Sequence, residues 1–150
     1  MHVESFLKNK GVAFEVLPHR TEYTASRTAQ ALHVPGAHFA KTVVLKVDQQ
    51  PVLAVVPANR LVNIERVREE LGASIVQLAE EWELVRLFPD CELGAIPPFG
   101  SEYRLETIID DDLAHDEAIT FEANVRSRAI HMRYRDYAEI EHPYVAHIVN

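Results

Sequence analysis

A lysine stands on the apolar side of a strand. In Ala40-Lys41-Thr42-Val43-Val44-Leu45-Lys46-Val47 successive side chains point to opposite faces. Lys46 falls with Thr42 and Val44, which suits a partly solvated side. Lys41 falls with Val43, Leu45 and Val47, so a cation interrupts an otherwise apolar row. Lysine is almost never fully buried without a partner. Either its ammonium escapes to solvent at the strand end, or it points into a cavity that needs positive charge. In a water-poor cavity it would steady a developing oxyanion or hold a phosphate far better than in bulk water.

The second chemical element is Cys91-Glu92-Leu93-Gly94-Ala95-Ile96-Pro97-Pro98-Phe99-Gly100-Ser101. Its glycines supply backbone angles closed to other residues, and its prolines fix φ and remove two amide donors. Such a loop is stiff and keeps its carbonyls available, which suits the wall of a small polar pocket. A rigid structural connection would have the same composition. No Gly-Lys-Ser/Thr follows, so it is not a phosphate-binding P-loop.

Other candidates are weaker. Cys91 has no base near it in sequence, and free cysteine ordinarily behaves as a small buried hydrophobe. The eight histidines (His2, His19, His33, His38, His115, His131, His142 and His147) show no i, i+4 pair of a zinc-binding helix, so no metal site is expected. His142 and His147 read as solvent-exposed. Asp110-Asp111-Asp112 lacks the glycine and distal glutamate of a calcium loop and reads as a charged turn. No Ser-His-Asp or Cys-His signature is present.

The elements that must position these residues follow from periodicity and caps. Val3, Phe6 and Leu7 give a short amphipathic helix ended by Gly11, and Val12 to Leu17 reads as a strand. Thr24 caps a helix reaching about His33, which Val34-Pro35-Gly36 breaks. Strands at Ala40–Asp48 and Val52–Val56 are joined by a turn at Gln49-Gln50-Pro51. Asn63 caps a helix carrying Ile64, Val67 and Leu71 and stopped by Gly72. A strand at Ser74–Leu78 precedes a helix at Glu80–Leu87 with Trp82 and Val85 or Leu84 inward. Further strands are expected near Leu105–Asp110, Ala118–Phe121 and Arg128–Met132, and Asp136 is placed to cap a last helix through Ile140. Trp82, Phe88 and Tyr103 read as core or pocket-lining residues. This order, without strict βα alternation, implies an α+β fold: a mixed, barrel-like sheet surrounded by short helices.

The chain has 150 residues, a size suited to one domain. Its 47% hydrophobic and 25% charged composition is that of a soluble globular protein. No apolar run approaches the roughly 20 residues of a membrane helix, and the N-terminus does not read as a signal peptide. A lone cysteine excludes an internal disulfide and suits a reducing cytoplasm. The net charge of −8 argues against bulk coating of nucleic acid, DNA included, but permits a local contact with one end of an RNA. Arg126, Arg128, Arg133 and Arg135 concentrate positive charge where such a contact would form, although each also reads as an ordinary solvated residue.

Ala40-Lys41-Thr42-Val43-Val44-Leu45 and Gly94-Ala95-Ile96-Pro97-Pro98-Phe99-Gly100, at their separation, resemble the YbaK/prolyl-tRNA synthetase-associated editing domain. Phe14-Glu15-Val16-Leu17-Pro18-His19 and Ile130-His131-Met132 with Asp136 fit as well, so the resemblance spans essentially the whole chain. Members of that family hydrolyse mischarged aminoacyl-tRNA. The resemblance implies a single editing domain over residues 1–150 that binds the acceptor end of aminoacyl-tRNA. Lys41 would be its essential lysine, and Thr42 a pocket neighbour. Gly94, Pro98 and Gly100 would form the substrate-holding loop, and His19 and Asp136 would be further pocket residues. No cofactor is implied. Relatives often carry glycine in the turn represented here by Phe121–Arg126. Asn124 tolerates a left-handed conformation, so the turn survives, and its larger side chain is expected to narrow the pocket.

An aminoacyl ester is already activated, so its hydrolysis needs positioning, a water and oxyanion stabilisation. Lys41 is therefore expected to act electrostatically, with the water assisted by loop carbonyls or a ribose hydroxyl and no protein nucleophile. Two rivals stand beside this reading: a non-catalytic module of the same fold that binds a small ligand or a protein, and a hydrolase of another small ester.

Overall fold

A computed structural model describes residues 1–150. The helices are α1 (Val3–Lys10), α2 (Ala25–Ala31), α3 (Ile64–Leu71), α4 (Glu81–Leu87), α5 (Asp111–Ala114) and α6 (Tyr134–Glu141). The strands are β1 (Phe14–Pro18), β2 (Ala40–Val47), β3 (Gln50–Pro57), β4 (Val76–Leu78), β5 (Glu106–Asp110), β6 (Ala118–Ala123), β7 (Val125–Arg133) and β8 (Tyr144–Ala146). They form a three-stranded sheet, β1-β7-β6, and a five-stranded mixed sheet, β4-β2-β3-β5-β8. The α+β class is as expected. The strands do not close into a barrel: the sheets are joined by one parallel bridge, Phe39 to Thr120.

Strand alternation explains where the core sits. Even-numbered β2 residues and odd-numbered β3 residues face inward: Ala40 and Val55 join Ile119, Phe121 and Ile130 of the other sheet in the main core. Val44 and Leu53 continue that face beneath α4 and the 91–100 loop, against Phe88 and Ile96. Val43, Leu45, Val47, Ala54 and Val56 point outward and are covered by α3 through Val67 and Leu71. Farther along the same outer face, Phe39 and Ala58 pack with Ala29 of α2 and Ala129 of β7.

The helix caps follow the sequence. Thr24 and Asn63 accept from the amides of Arg27 and Arg66, and Gly11 and Gly72 end α1 and α3 in the left-handed conformation. The β2–β3 turn is Asp48-Gln49, one step earlier than expected, with φ of 48° and 70°. Both angles suit the tight hairpin turn that matches strand twist. The Asp48 carboxylate also accepts from the amides of Ser74 and Ile75, an interaction no local pattern announces. Pro51 lies in the strand, opposite Lys46. Trp82 and Val85 are exposed, and Leu84 alone of the expected residues turns inward. Asp136 lies within the first turn of α6, whose cap position is Arg133.

Asn124 adopts φ 71°, as its tolerance for that region allows. Its side chain reaches the N-terminus and also touches Cys91 Sγ at the start of the loop. Oδ1 accepts from the Val3 amide at 2.9 Å and Nδ2 donates to the Met1 carbonyl at 2.7 Å. Asn124 therefore fastens α1 to the β6–β7 turn. Replacing it with glycine keeps the turn and strands the buried Val3 amide, at a cost of about 1–3 kcal/mol. A urea melt should show a lower midpoint at unchanged slope, which registers stability rather than a changed unfolded state.

Candidate active site

Lys41 lies near the start of β2, beyond the stretch Leu45–Val47 that pairs with β4. Its outward neighbours Val43, Leu45 and Val47 all belong to the cluster under α3, so the parity anomaly is real. The side chain is half-buried, and burial holds its ammonium below the usual lysine range. No carboxylate pairs with it, and Nζ remains open to solvent. It is a partly desolvated, uncommitted cation.

What stands beside it follows from the bridge between the sheets. β2 and β6 run parallel through Phe39 and Thr120. Two residues farther on, Lys41 and Glu122 hold corresponding register positions on the same outward side. Glu122 is buried, and its Oε1 lies 2.6 Å from Nε2 of His19, whose side chain is only 2% exposed. His19 follows β1, and its amide donates to the Ser127 carbonyl at 2.9 Å. Its Nδ1 lies 2.7 Å from the Arg20 carbonyl oxygen, an atom that can only accept. Nδ1 therefore carries a hydrogen. The 2.6 Å contact to Glu122 then requires one further proton between Nε2 and Oε1. Burial pushes the Glu122 carboxyl up to about 7, against the lowering pull of His19 and Arg126.

Arg126 ties this group to the loop. Its amide donates to Glu92 Oε1 at 2.7 Å and its guanidinium donates to the Glu22 carbonyl. A Cβ on Gly94 would lie 3.8 Å from the Arg126 side chain, so Gly94 borders the same group. Gly94 needs its lack of a side chain for another reason: its φ is 85°. His19, Arg126 and Gly94 are thus arranged around the Glu122 end of β6, to which Lys41 is related by strand register.

The rest of the loop turns inward. Residues 95–100 are buried. Phe99 stacks edge-on against Phe6, Phe121 and Tyr137 at centroid distances of 5.4, 5.7 and 5.1 Å. The carbonyls expected to stay free are mostly engaged: Ala95 O accepts from Asn124 N, Pro98 O from the Tyr137 hydroxyl at 2.6 Å, and Gly100 O from Leu105 N. Gly100 N donates to Thr107 Oγ1, which donates to the buried Glu141 carboxylate. Pro98 and Gly100 hold the loop in place from inside, while Gly94 meets solvent.

Two other expected residues fall elsewhere. Thr42 is opposite Val55 and faces the inner side, away from Lys41. Asp136 lies on α6, which packs through Tyr137 against the inner face of the three-stranded sheet, opposite the face that carries Glu122. The arginines do not form one patch. Arg128 pairs with Glu4, and Arg133 lies seven residues along β7 from Arg126, roughly 24 Å of strand. Cys91 Sγ contacts the Tyr103 hydroxyl and Asn124 Nδ2 and donates to the Asp90 carboxylate at 3.7 Å, outside the group around Glu122.

The profile of the aminoacyl-tRNA editing domain family matches residues 19–140. The proline–tRNA ligase of Bacillus cytotoxicus is 36% identical over 83 residues, 55% of this chain and 14% of the ligase. Proline–tRNA ligase 1 of Bacillus thuringiensis subsp. konkukian is 34% identical over 83 residues, again 55% of this chain and 14% of the ligase. The matched part of this chain thus spans a small fraction of those enzymes. Among solved structures, the hypothetical protein APE2540 superposes with a TM-score of 0.89 at 21% identity, covering 100% of both chains. A structure described as a "putative trans-editing enzyme for prolyl tRNA synthetase" superposes with a TM-score of 0.86 at 18% identity, over 99% of this chain and 95% of that one. At these identities the two structures establish a shared fold. No helix is long and apolar enough to cross a membrane.

Proposed function

Because this chain belongs to the aminoacyl-tRNA editing domain family, we propose that it is a trans-acting deacylase that hydrolyses the ester of mischarged tRNA in the cytoplasm. The observation that carries the reading is the uncommitted ammonium of Lys41, half-buried and level with Glu122. A cation partly withdrawn from water and paired with no carboxylate interacts more strongly than one in bulk with a charge that appears only during reaction. The oxyanion of an ester under attack is such a charge. Gly94 and Arg126 border the approach, and the terminal adenosine and its phosphate would enter past them.

The test is a panel of tRNAs, each charged with a noncognate amino acid. Turnover of at least one, above its loss in buffer, supports the deacylase. Binding of uncharged tRNA without turnover of any member supports the binding-module reading instead. Turnover of simple esters with no response to tRNA supports the hydrolase of another small ester.

Contact with the acceptor end is partly electrostatic despite the chain's charge of −8. Affinity for tRNA should therefore fall as salt rises, by roughly 0.7 log units per tenfold salt for each single-strand phosphate neutralised. A titration across salt concentrations checks this. A flat dependence would remove RNA as the partner.

A further inference from the structure

Family membership and strand parity lead to Lys41 but assign no group to the proton that hydrolysis must move. We propose that Glu122 is the acid–base residue of the deacylation, and that His19 is a positioning residue that holds one carboxylate oxygen so the other meets the attacking water. The proposal rests on the deacylase reading above.

Three features of the pair carry it. First, the two oxygens of Glu122 differ. Oε1 is held by His19 at 2.6 Å, whereas Oε2 makes no hydrogen bond within the protein and is open to solvent. Second, His19 is fixed at both nitrogens, Nδ1 on the Arg20 carbonyl and Nε2 on Glu122, and its amide is tied to Ser127. A ring held this way sets the direction of the carboxylate. Third, the parallel bridge Phe39–Thr120 puts Lys41 and Glu122 each two residues farther along its strand, at corresponding outward positions of the two sheets. The other charged groups facing Glu122 are Arg126 from β7 and Glu92 from the loop. Their opposite signs oppose each other, and burial leaves the carboxyl poised near neutrality, where acid–base work is most efficient.

The proton balance is simple. Water gives a proton to Oε2 as its oxygen bonds to the ester carbonyl carbon. Lys41 faces the oxyanion that forms. The bond between the carbonyl carbon and the ribose oxygen then breaks, and that ribose oxygen takes the proton from Oε2. Free amino acid and the terminal hydroxyl leave, and Glu122 returns to its starting state. The proton between His19 and Oε1 stays in place throughout.

The experiment is single-turnover hydrolysis of a mischarged tRNA that the wild-type protein accepts, followed from about pH 5 to pH 9 after subtraction of buffer hydrolysis. A base must be ionised to act, so the wild-type rate should rise with pH through about 7. Glu122→Gln preserves size and should lose at least ~10²-fold in rate with that limb abolished, while its Kd for uncharged tRNA stays at the wild-type value. A wild-type rate in Glu122→Gln, a surviving limb, or a loss confined to tRNA affinity would each overturn the proposal. His19→Gln provides the second measurement and decides the matter if Glu122→Gln does not fold. Removing the charge that lowers Glu122 should move the limb to higher pH; an unmoved limb overturns the positioning role. If the wild type turns over no member of the panel, the deacylase reading falls and the proposal with it. Any of the other failures leaves that reading intact.

Discussion

Lys41→Ala should reduce deacylation by at least ~10²-fold while leaving the fold intact. The magnitude follows from what the ammonium faces. Half-buried and without a carboxylate, it contributes nothing to an ion pair in the resting protein, and burial already disfavours its charge. Its removal therefore relieves a small desolvation penalty, so the variant should melt at or slightly above the wild-type temperature. Loss of activity with retained stability separates a functional cation from a structural one. Lys41→Arg keeps the charge and changes its shape. It should recover part of the rate if the role is electrostatic, because a planar fork cannot reproduce a compact point charge. Near-wild-type turnover in Lys41→Ala would remove this residue from the mechanism.

Gly100→Ala should cost about 3 kcal/mol, the largest stability effect expected of a single methyl group in this protein. A Cβ there would lie 2.5 Å from Thr107 Oγ1 and 2.8 Å from the Leu105 carbonyl oxygen. The first contact can yield only by turning Thr107 away from Glu141, and the second is backbone. Thr107 accepts from Gly100 N and donates to Glu141, which also accepts from the amide and hydroxyl of Ser101. One misplaced methyl thus disturbs a buried carboxylate that burial already pushes upward in pKa. For a chain of this size the melting temperature should fall by roughly 6–12 °C. Gly94→Ala is the control: it meets open space and Arg126 at 3.8 Å, so only its positive φ is penalised, at about 1–2 kcal/mol. Equal melting temperatures for the two variants would show that close contact at Gly100 is relieved by movement elsewhere.

The uneven legibility of the fold has physical causes. Strand parity is local and strict, which is why Lys41 stood out and why its neighbours in the row are found together under α3. Caps are local too, and Thr24, Asn63, Gly11 and Gly72 act where the sequence puts them. The hairpin turn was displaced because its stabilisation is not local: Asp48 is held in its unusual conformation by amides 26 and 27 residues away. In α4 seven residues are too few for periodicity to fix which side is buried, and Trp82 is instead drawn outward by a 2.6 Å bond to Glu80. The short β8 pairs with β5 through three residues and carries no alternation to detect.

The site was half legible for the same reason. Lys41 and Gly94 each carry a local signature, and His19 came through the family resemblance. Glu122 carried none, because its partner lies 103 residues earlier in the chain and glutamate is ordinarily a surface residue. Its burial is decided by the β6–β7 pairing and by His19 arriving from the end of β1. A glutamate in a strand between buried residues, Phe121 and Ala123, was the one available hint.

The two sheets share a core yet only one hydrogen-bonded bridge, Phe39 to Thr120, and the candidate site lies across it. Lys41 belongs to the larger sheet, and Glu122 with His19 to the smaller one. Any substrate gripped from both sides becomes a second rivet through that joint. Its binding energy is then also cohesion between the sheets, worth about 2.7 kcal/mol at a hundredfold excess over Kd.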